Sequence, residues 1–285
     1  MRVLVTGAAG QLGIDVVAAF SAAGDDVVAV DRGTLDITRR DDVREALRAA
    51  RPDAVVNCAA WTAVDACEAD VERAMLVNGT AVGWLAEGCA ELSAHLVHVS
   101  TDYVFDGTLD RPYVETDEPN PQSVYGRSKL AGERAALEHA HTVSVVRTSW
   151  VCGMHGNNMV KTVMRLAADR PELAFVDDQR GHPTFTHDLA PLLRELVTQR
   201  LEGVVHATNQ GAVSWFEFAR EVVAACGHDP SMVRPIATAD LQPPRPAPRP
   251  ANSVLANAAL EAAGIPLLRH HSQPLAETVA ELLRR

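Results

Sequence analysis

The sequence predicts an α/β protein built on a doubly wound parallel sheet, with a smaller, irregular C-terminal lobe. Three observations carry that expectation. Short β-branched runs alternate with Ala-rich segments of helical period through the first 150 residues. The strand segments are apolar on both faces, as in a parallel sheet covered by helices on both sides. A glycine-rich turn joins the first strand to the first helix, and sheets of this kind open their ligand crevice at the carboxyl ends of the strands.

Residues 2–6, 27–31, 54–57, 95–100 and 143–147 read as strands, each a short Val-rich run bounded by turn residues. Between them, residues 12–23, 40–50, 68–92 and 123–139 read as helices or helix pairs. After Trp150 the regularity fades, and Gly, Pro and His gather at 152–158, 181–183 and 242–252. The expected division is 1–150 for the main domain and 151–285 for a mainly substrate-binding lobe. Segments at 173–176 (strand), 189–199 (helix) and 204–207 (strand) are expected to interleave with the first domain. The run Pro243-Pro244-Arg245-Pro246-Ala247-Pro248-Arg249-Pro250 excludes helix and central strand and reads as a rigid loop.

Charge and composition exclude several roles. With 37 acidic against 26 basic residues the net charge is -11, which repels nucleic-acid phosphates and anionic lipid. No stretch reaches the roughly 18 apolar residues of a membrane span, and the first apolar run ends at Thr6-Gly7, too short for a signal-peptide core. A cytoplasmic protein is expected. Cys58, Cys67, Cys89, Cys152 and Cys226 are odd in number and never form a C-x-x-C pair, so reduced, mostly buried thiols are expected. His155, His182 and His187 suggest no metal cluster, and His270-His271 reads as surface polar.

Gly7-Ala8-Ala9-Gly10-Gln11-Leu12-Gly13 follows the first strand and opens the first helix. Glycine lets the backbone approach a pyrophosphate, while the helix N-terminus offers free N–H groups. A dinucleotide is therefore the expected ligand of a Rossmann-type crevice. Asp31, at the end of the second strand, is placed for the adenosine ribose hydroxyls and favours NADH. Arg32 beside it can pair a 2′-phosphate and favours NADPH, so the choice stays open. Asp36 and Ile37 are candidates for the adenine, and Ala59 and Ala60, in the small run Asn57-Cys58-Ala59-Ala60, for close packing on the cofactor.

Tyr125-Gly126-Arg127-Ser128-Lys129 puts Tyr125 and Lys129 one helical turn apart on one face. An ammonium beside a phenol favours phenolate, so Lys129 is expected to lower the pKa of Tyr125 and equip it to deliver a proton. Ser100-Thr101-Asp102 ends the preceding strand, where a hydroxyl can share a substrate oxygen with Tyr125.

The glycine loop, Thr101 and the Tyr125/Lys129 pair resemble the extended short-chain dehydrogenase/reductase superfamily. Four blocks narrow the resemblance. They are Ser100-Thr101-Asp102-Tyr103-Val104-Phe105-Asp106-Gly107, Val124-Tyr125-Gly126-Arg127-Ser128-Lys129-Leu130-Ala131-Gly132-Glu133, Arg147-Thr148-Ser149-Trp150-Val151 and Asp178-Gln179-Arg180-Gly181-His182-Pro183-Thr184. They resemble the dTDP-4-dehydrorhamnose reductase family nearly end to end. The resemblance implies hydride transfer from NADPH or NADH to the C4 ketone of dTDP-4-dehydro-β-L-rhamnose. It implies that Thr101 polarises the ketone, that Tyr125 protonates the alkoxide, and that Lys129 tunes Tyr125 and holds the nicotinamide ribose. It assigns Thr62, Val64, Asp65, Asp102, Tyr103 and Trp150 to the sugar and Arg249 to the diphosphate. Asp15 stands where some members hold a magnesium ion between two subunits, leaving room for a homodimer. A single helix carboxylate is thin support for that metal, and none is assigned. The blocks also suit a reductase of another nucleotide-linked 4-keto-6-deoxyhexose, or a non-catalytic regulatory subunit resembling this family.

Overall fold

A computed structural model describes all 285 residues. The chain alternates β1 (Arg2–Thr6), α1 (Gln11–Ala22), β2 (Asp26–Val30), α2 (Arg40–Ala50), β3 (Ala54–Asn57), α3 (Val64–Ala69), α4 (Val71–Met75), α5 (Ala81–Leu92), β4 (His95–Thr101), α6 (Val124–His139) and β5 (Val143–Thr148). The five strands and a later one, Gly203–His206, form a six-stranded parallel sheet. Its order is Gly203–His206, β5, β4, β3, β1, β2. The chain winds outward in both directions from the β1/β3 boundary, so a crevice opens where Thr6 and Asn57 end their strands. The two faces are covered separately. Val16 and Phe20 of α1 pack with Val3, Val5 and Val56 on one side, while Val43 and Leu47 of α2 join Leu4, Val55 and Leu85 on the other.

The segment 68–92, expected as a helix or helix pair, is divided by a turn. Asp70 caps α4 by accepting from the Arg73 N–H, and Leu76–Thr80 forms a wider π-helical turn before α5. Asn78 lies in that turn, buried, with its amide bound to both backbone groups of Trp61 and to the Ser128 hydroxyl. A helical period cannot announce such a turn, because its cause is tertiary.

Two later segments do interleave. Gly203–His206 joins the sheet edge beside β5, and the helix Thr186–Gln199, starting three residues before the expected point, packs Leu189 and Leu193 on the α1 side of the sheet. The strand Leu173–Val176 does not: it pairs with Val233–Ile236 outside the main sheet. Its apolar residues resemble those of a sheet strand, but Leu173 belongs to a separate core with Val163, Phe185, Phe218 and Val233. All five cysteines are unpaired, and Cys67, Cys89 and Cys152 are buried. His271 departs from the surface expectation. It is fully buried, with Nε2 2.7 Å from Glu221.

Candidate active site

The glycine loop folds as the crevice requires. Gly7 takes φ +65°, and a Cβ there would lie 2.7 Å from the Ala59 backbone. A Cβ on Gly13 would meet the Gly7 carbonyl at 2.1 Å, so the loop closes on itself only through glycine. Gly10 caps α1 without a side-chain hydrogen bond, leaving the first-turn N–H groups open to an anion. Beside this loop lies a cavity of about 560 Å³ that gathers Gly7, Gly10, Asp31, Arg32, Asp36, Ile37, Ala59 and Ala60.

Gln11, Leu12 and Gly13 do not line that cavity. Leu12 is buried in the core with Val16 and Phe20. The Gln11 amide donates to the Val151 carbonyl at 2.9 Å and accepts from Asn158 at 2.8 Å, tying the loop to the second lobe. Asp31 Oδ1 accepts from the N–H groups of Gly33 and Thr34 at 2.9 and 3.1 Å, while Arg32 beside it is exposed and free of ion pairs. Asp36 accepts from the Thr38 hydroxyl and N–H, which hold its carboxyl below the ordinary aspartate value. Arg73, Leu76 and Val77, cavity residues without a sequence signal, arrive through the interrupted helix.

The second cluster sits where β4 ends and α6 begins. Ser123 caps α6 by accepting from the Gly126 N–H, and Glu68 accepts from the Val124 N–H at 2.8 Å. These anchors set Tyr125 at the helix start, 8% exposed, its ring edge-to-face with Tyr103 at 5.5 Å. Thr101 is buried and donates to Asp102 Oδ1 at 2.9 Å. Asp102 Oδ2 is buried without any partner. Burial pushes the Asp102 carboxyl up to about 6, against the pull of the Ser253 and Thr101 hydroxyls.

Lys129 is 2% exposed. Its Nζ donates to the Val99 carbonyl at 2.7 Å and lies 3.4 Å from His98 Nε2. Burial pushes it down to about 8, opposed by the charge of Glu133. The expected lowering of Tyr125 is not what the structure gives. Burial raises its phenol well above the ordinary tyrosine value, with the Thr101 hydroxyl opposing. Desolvation outweighs attraction to an ammonium that is turned toward a backbone carbonyl.

The remaining candidates are distributed around this centre. Thr62 is exposed, and Val64 packs with the apolar cluster that includes Cys67 and Tyr125. Asp65 and Arg249 meet each other: the guanidinium forks onto both carboxylate oxygens at 2.6 and 2.7 Å, and the Ala247 N–H adds a third bond to Asp65. Trp150 takes φ +46° and stacks on Trp215 at 3.5 Å, a partner the sequence did not announce. Asp15 stands near only one further candidate ligand, His155 at 3.8 Å, and nowhere do three His, Cys, Asp or Glu side chains gather as a metal set. The donor set therefore does not fit magnesium within one chain.

Comparison with known proteins fits this geometry. The family profile described as RmlD substrate binding domain matches residues 1–284. A Streptomyces griseus dTDP-4-dehydrorhamnose reductase is 45% identical over 290 residues, covering 100% of this chain and 95% of that protein. The chain belongs to the dTDP-4-dehydrorhamnose reductase family. A Streptomyces niveus member named dTDP-4-keto-6-deoxy-D-glucose reductase is 43% identical, covering 97% of this chain and 96% of its own. The crystal structure of the Bacillus anthracis dTDP-4-dehydrorhamnose reductase, in complex with NADP, superposes with a TM-score of 0.94 at 35% identity. It covers 98% of this chain and 99% of its own. Like these relatives, the protein is an oxidoreductase on a Rossmann sheet. No helix is long and apolar enough to cross a membrane.

Proposed function

We propose that this reductase transfers hydride from NADPH or NADH to the C4 ketone of dTDP-4-dehydro-β-L-rhamnose, giving dTDP-L-rhamnose. The observation that carries this reading is the meeting of the Thr101 and Tyr125 hydroxyls at the end of β4, with the Asp102 carboxyl buried next to them and Trp61 packing beside Tyr125 while lining the glycine-lined cavity. Gly7 and Gly10 would hold the pyrophosphate, Asp31 and Arg32 the adenosine end, and Ala59 and Ala60 the crevice wall. Bound there, the reduced nicotinamide supplies hydride to the ketone carbon. Thr101 hydrogen-bonds the ketone oxygen, and Tyr125 gives that oxygen its phenolic proton as charge builds on it. Lys129 holds the cofactor ribose and compensates the phenolate left on Tyr125. The second lobe closes over the sugar, with Asp102, Tyr103, Thr62, Val64, Asp65 and Trp150 orienting it and Arg249, held by Asp65, at the diphosphate.

A second reading follows from the Streptomyces niveus relative, whose name points to a different 4-keto-6-deoxyhexose. Fold and proton donor do not encode the stereochemistry of the sugar. A non-catalytic regulatory role has less support, because Thr101, Tyr125 and Lys129 are all present and close to the crevice. A cytoplasmic location belongs to the same proposal, since five unpaired cysteines suit a reducing compartment. A homodimer is compatible with it. Incubation with dTDP-4-dehydrorhamnose and each reduced cofactor tests the activity: loss of nicotinamide absorbance is expected, and none with either cofactor would refute it.

A further inference from the structure

Three buried polar side chains run across the sheet beneath the site. Thr6, Asn57 and His98 are direct neighbours on β1, β3 and β4, and all three are fully buried. Thr6 Oγ1 donates to Asn57 Oδ1 at 2.6 Å, and Asn57 Nδ2 faces His98 Nδ1 at 2.9 Å. The far ring nitrogen, Nε2, faces Lys129 Nζ at 3.4 Å.

The direction of these bonds is set by the backbone. The Ala59 N–H, which can only donate, bonds Asn57 Oδ1 at 3.2 Å. The oxygen of the amide is thereby assigned, and its NH₂ must be what faces His98. His98 Nδ1 therefore accepts, and the neutral ring carries its proton on Nε2. Protonating Nδ1 would set two donors against each other, and burial independently holds His98 neutral. An N–H consequently points at Lys129. A neutral amine offers it a lone pair, whereas an ammonium offers only more hydrogens.

We propose that His98 is a positioning residue for the reduction, which acts through Lys129: its fixed Nε2–H holds Nζ at the Val99 carbonyl and weakens the hold of Nζ on its extra proton. The other groups facing Lys129 are few. Glu133, one turn further along α6, favours the ammonium, but Arg147 of β5 pairs with it at 2.7 Å and takes up its charge. Cys58, beyond β3, is held as the thiol by burial, which pushes it up to about 12. Tyr125 on the same helix is likewise held protonated. The proposal rests on Lys129 belonging to the reducing site, but its test needs no substrate.

The sequence contains two lysines, Lys129 and Lys161. Protein labelled with ¹³C at lysine Cε therefore gives two titrating signals, and Lys161→Arg assigns them. Lys129 is expected to titrate below the ordinary lysine range and, in His98→Leu, to rise by about one pH unit or more. Asn57→Asp gives a second arm, because a carboxylate would pull the ring proton to Nδ1 and turn the Nε2 lone pair on Lys129. A rise of Lys129 is expected there too, with the histidine ¹⁵N spectrum reporting the change from Nε2–H to Nδ1–H. Folded His98→Leu protein with an unmoved Lys129, or an Nδ1–H tautomer in the unsubstituted protein, overturns the proposal. A moved Lys129 in an enzyme that reduces no nucleotide sugar would refute the proposed substrate and leave the role of His98 standing.

Discussion

Thr101 donates its only hydroxyl proton to Asp102 Oδ1 at 2.9 Å, while the other Asp102 oxygen is buried with no hydrogen bond formed to it. An orphaned carboxylate oxygen is costly, and such a cost persists where a ligand removes it. A sugar hydroxyl donating to Asp102 would satisfy that atom and release Thr101 to turn toward a ketone. Binding of the sugar and arming of the hydroxyl would then be one event.

That geometry makes stability depend on pH. The folded Asp102 value, raised from 3.8 to about 6, means that the protonated carboxyl suits the fold. Its contribution is full below about pH 4 and is lost as the pH rises through about 6. Asp102→Asn, permanently neutral, should therefore stabilise the protein by on the order of 2–3 kcal/mol at about pH 8. It should stabilise little near pH 4, and it should impair turnover. Denaturant unfolding at the two pH values checks this, and equal gains at both would contradict it.

The proton donor has its own signature. Tyr125→Phe keeps the ring against Tyr103 and removes the acidic hydroxyl. Turnover should fall by roughly 10²-fold or more, with cofactor affinity little changed. Lys129→Met should be as damaging and should also weaken cofactor binding, because the ammonium serves the ribose as well. Single-turnover rates and cofactor titration separate the two effects.

Cofactor choice turns on adjacent side chains of opposite sign. Asp31 is partly occupied by its own turn, whereas Arg32 is exposed and unpaired. Both cofactors should support turnover. Arg32→Ala should cost NADPH more than NADH by about 1.5–3 kcal/mol in kcat/KM, as expected for loss of a charged hydrogen bond. Equal losses would mean that Arg32 does not meet the phosphate.

How far these residues could be read from the sequence depended on distance along the chain. Gly7, Gly10, Tyr125 and Lys129 were legible because strand-turn-helix order and one-turn spacing are local. The Asp65–Arg249 pair spans 184 residues and the Thr6–Asn57 bond spans 51, so no spacing rule reaches them. Both Asp65 and Arg249 were singled out, yet not as each other's partner. Asn78 left no trace because a helical period runs through its turn. Tyr125 was misjudged in one respect: spacing shows that Lys129 is near, but not that Nζ is turned to the Val99 carbonyl in a dry interior.

Magnesium can be tested separately. Asp15 has one unpartnered buried oxygen and only His155 nearby, too few ligands for a tight site in one chain. Hydride transfer should persist in EDTA. Complete, magnesium-reversible loss in folded protein would contradict this, whereas a change in sedimentation alone would indicate a metal between subunits.

The central claim is that hydride goes to C4 of the keto sugar and a proton from Tyr125 to its oxygen. The most direct measurement is NMR of the product formed from dTDP-4-dehydrorhamnose with cofactor deuterated at the transferred position. The expected result is dTDP-L-rhamnose carrying deuterium at C4, with one cofactor oxidised per sugar. A product of another configuration, deuterium elsewhere, or cofactor oxidation without a reduced sugar would contradict it.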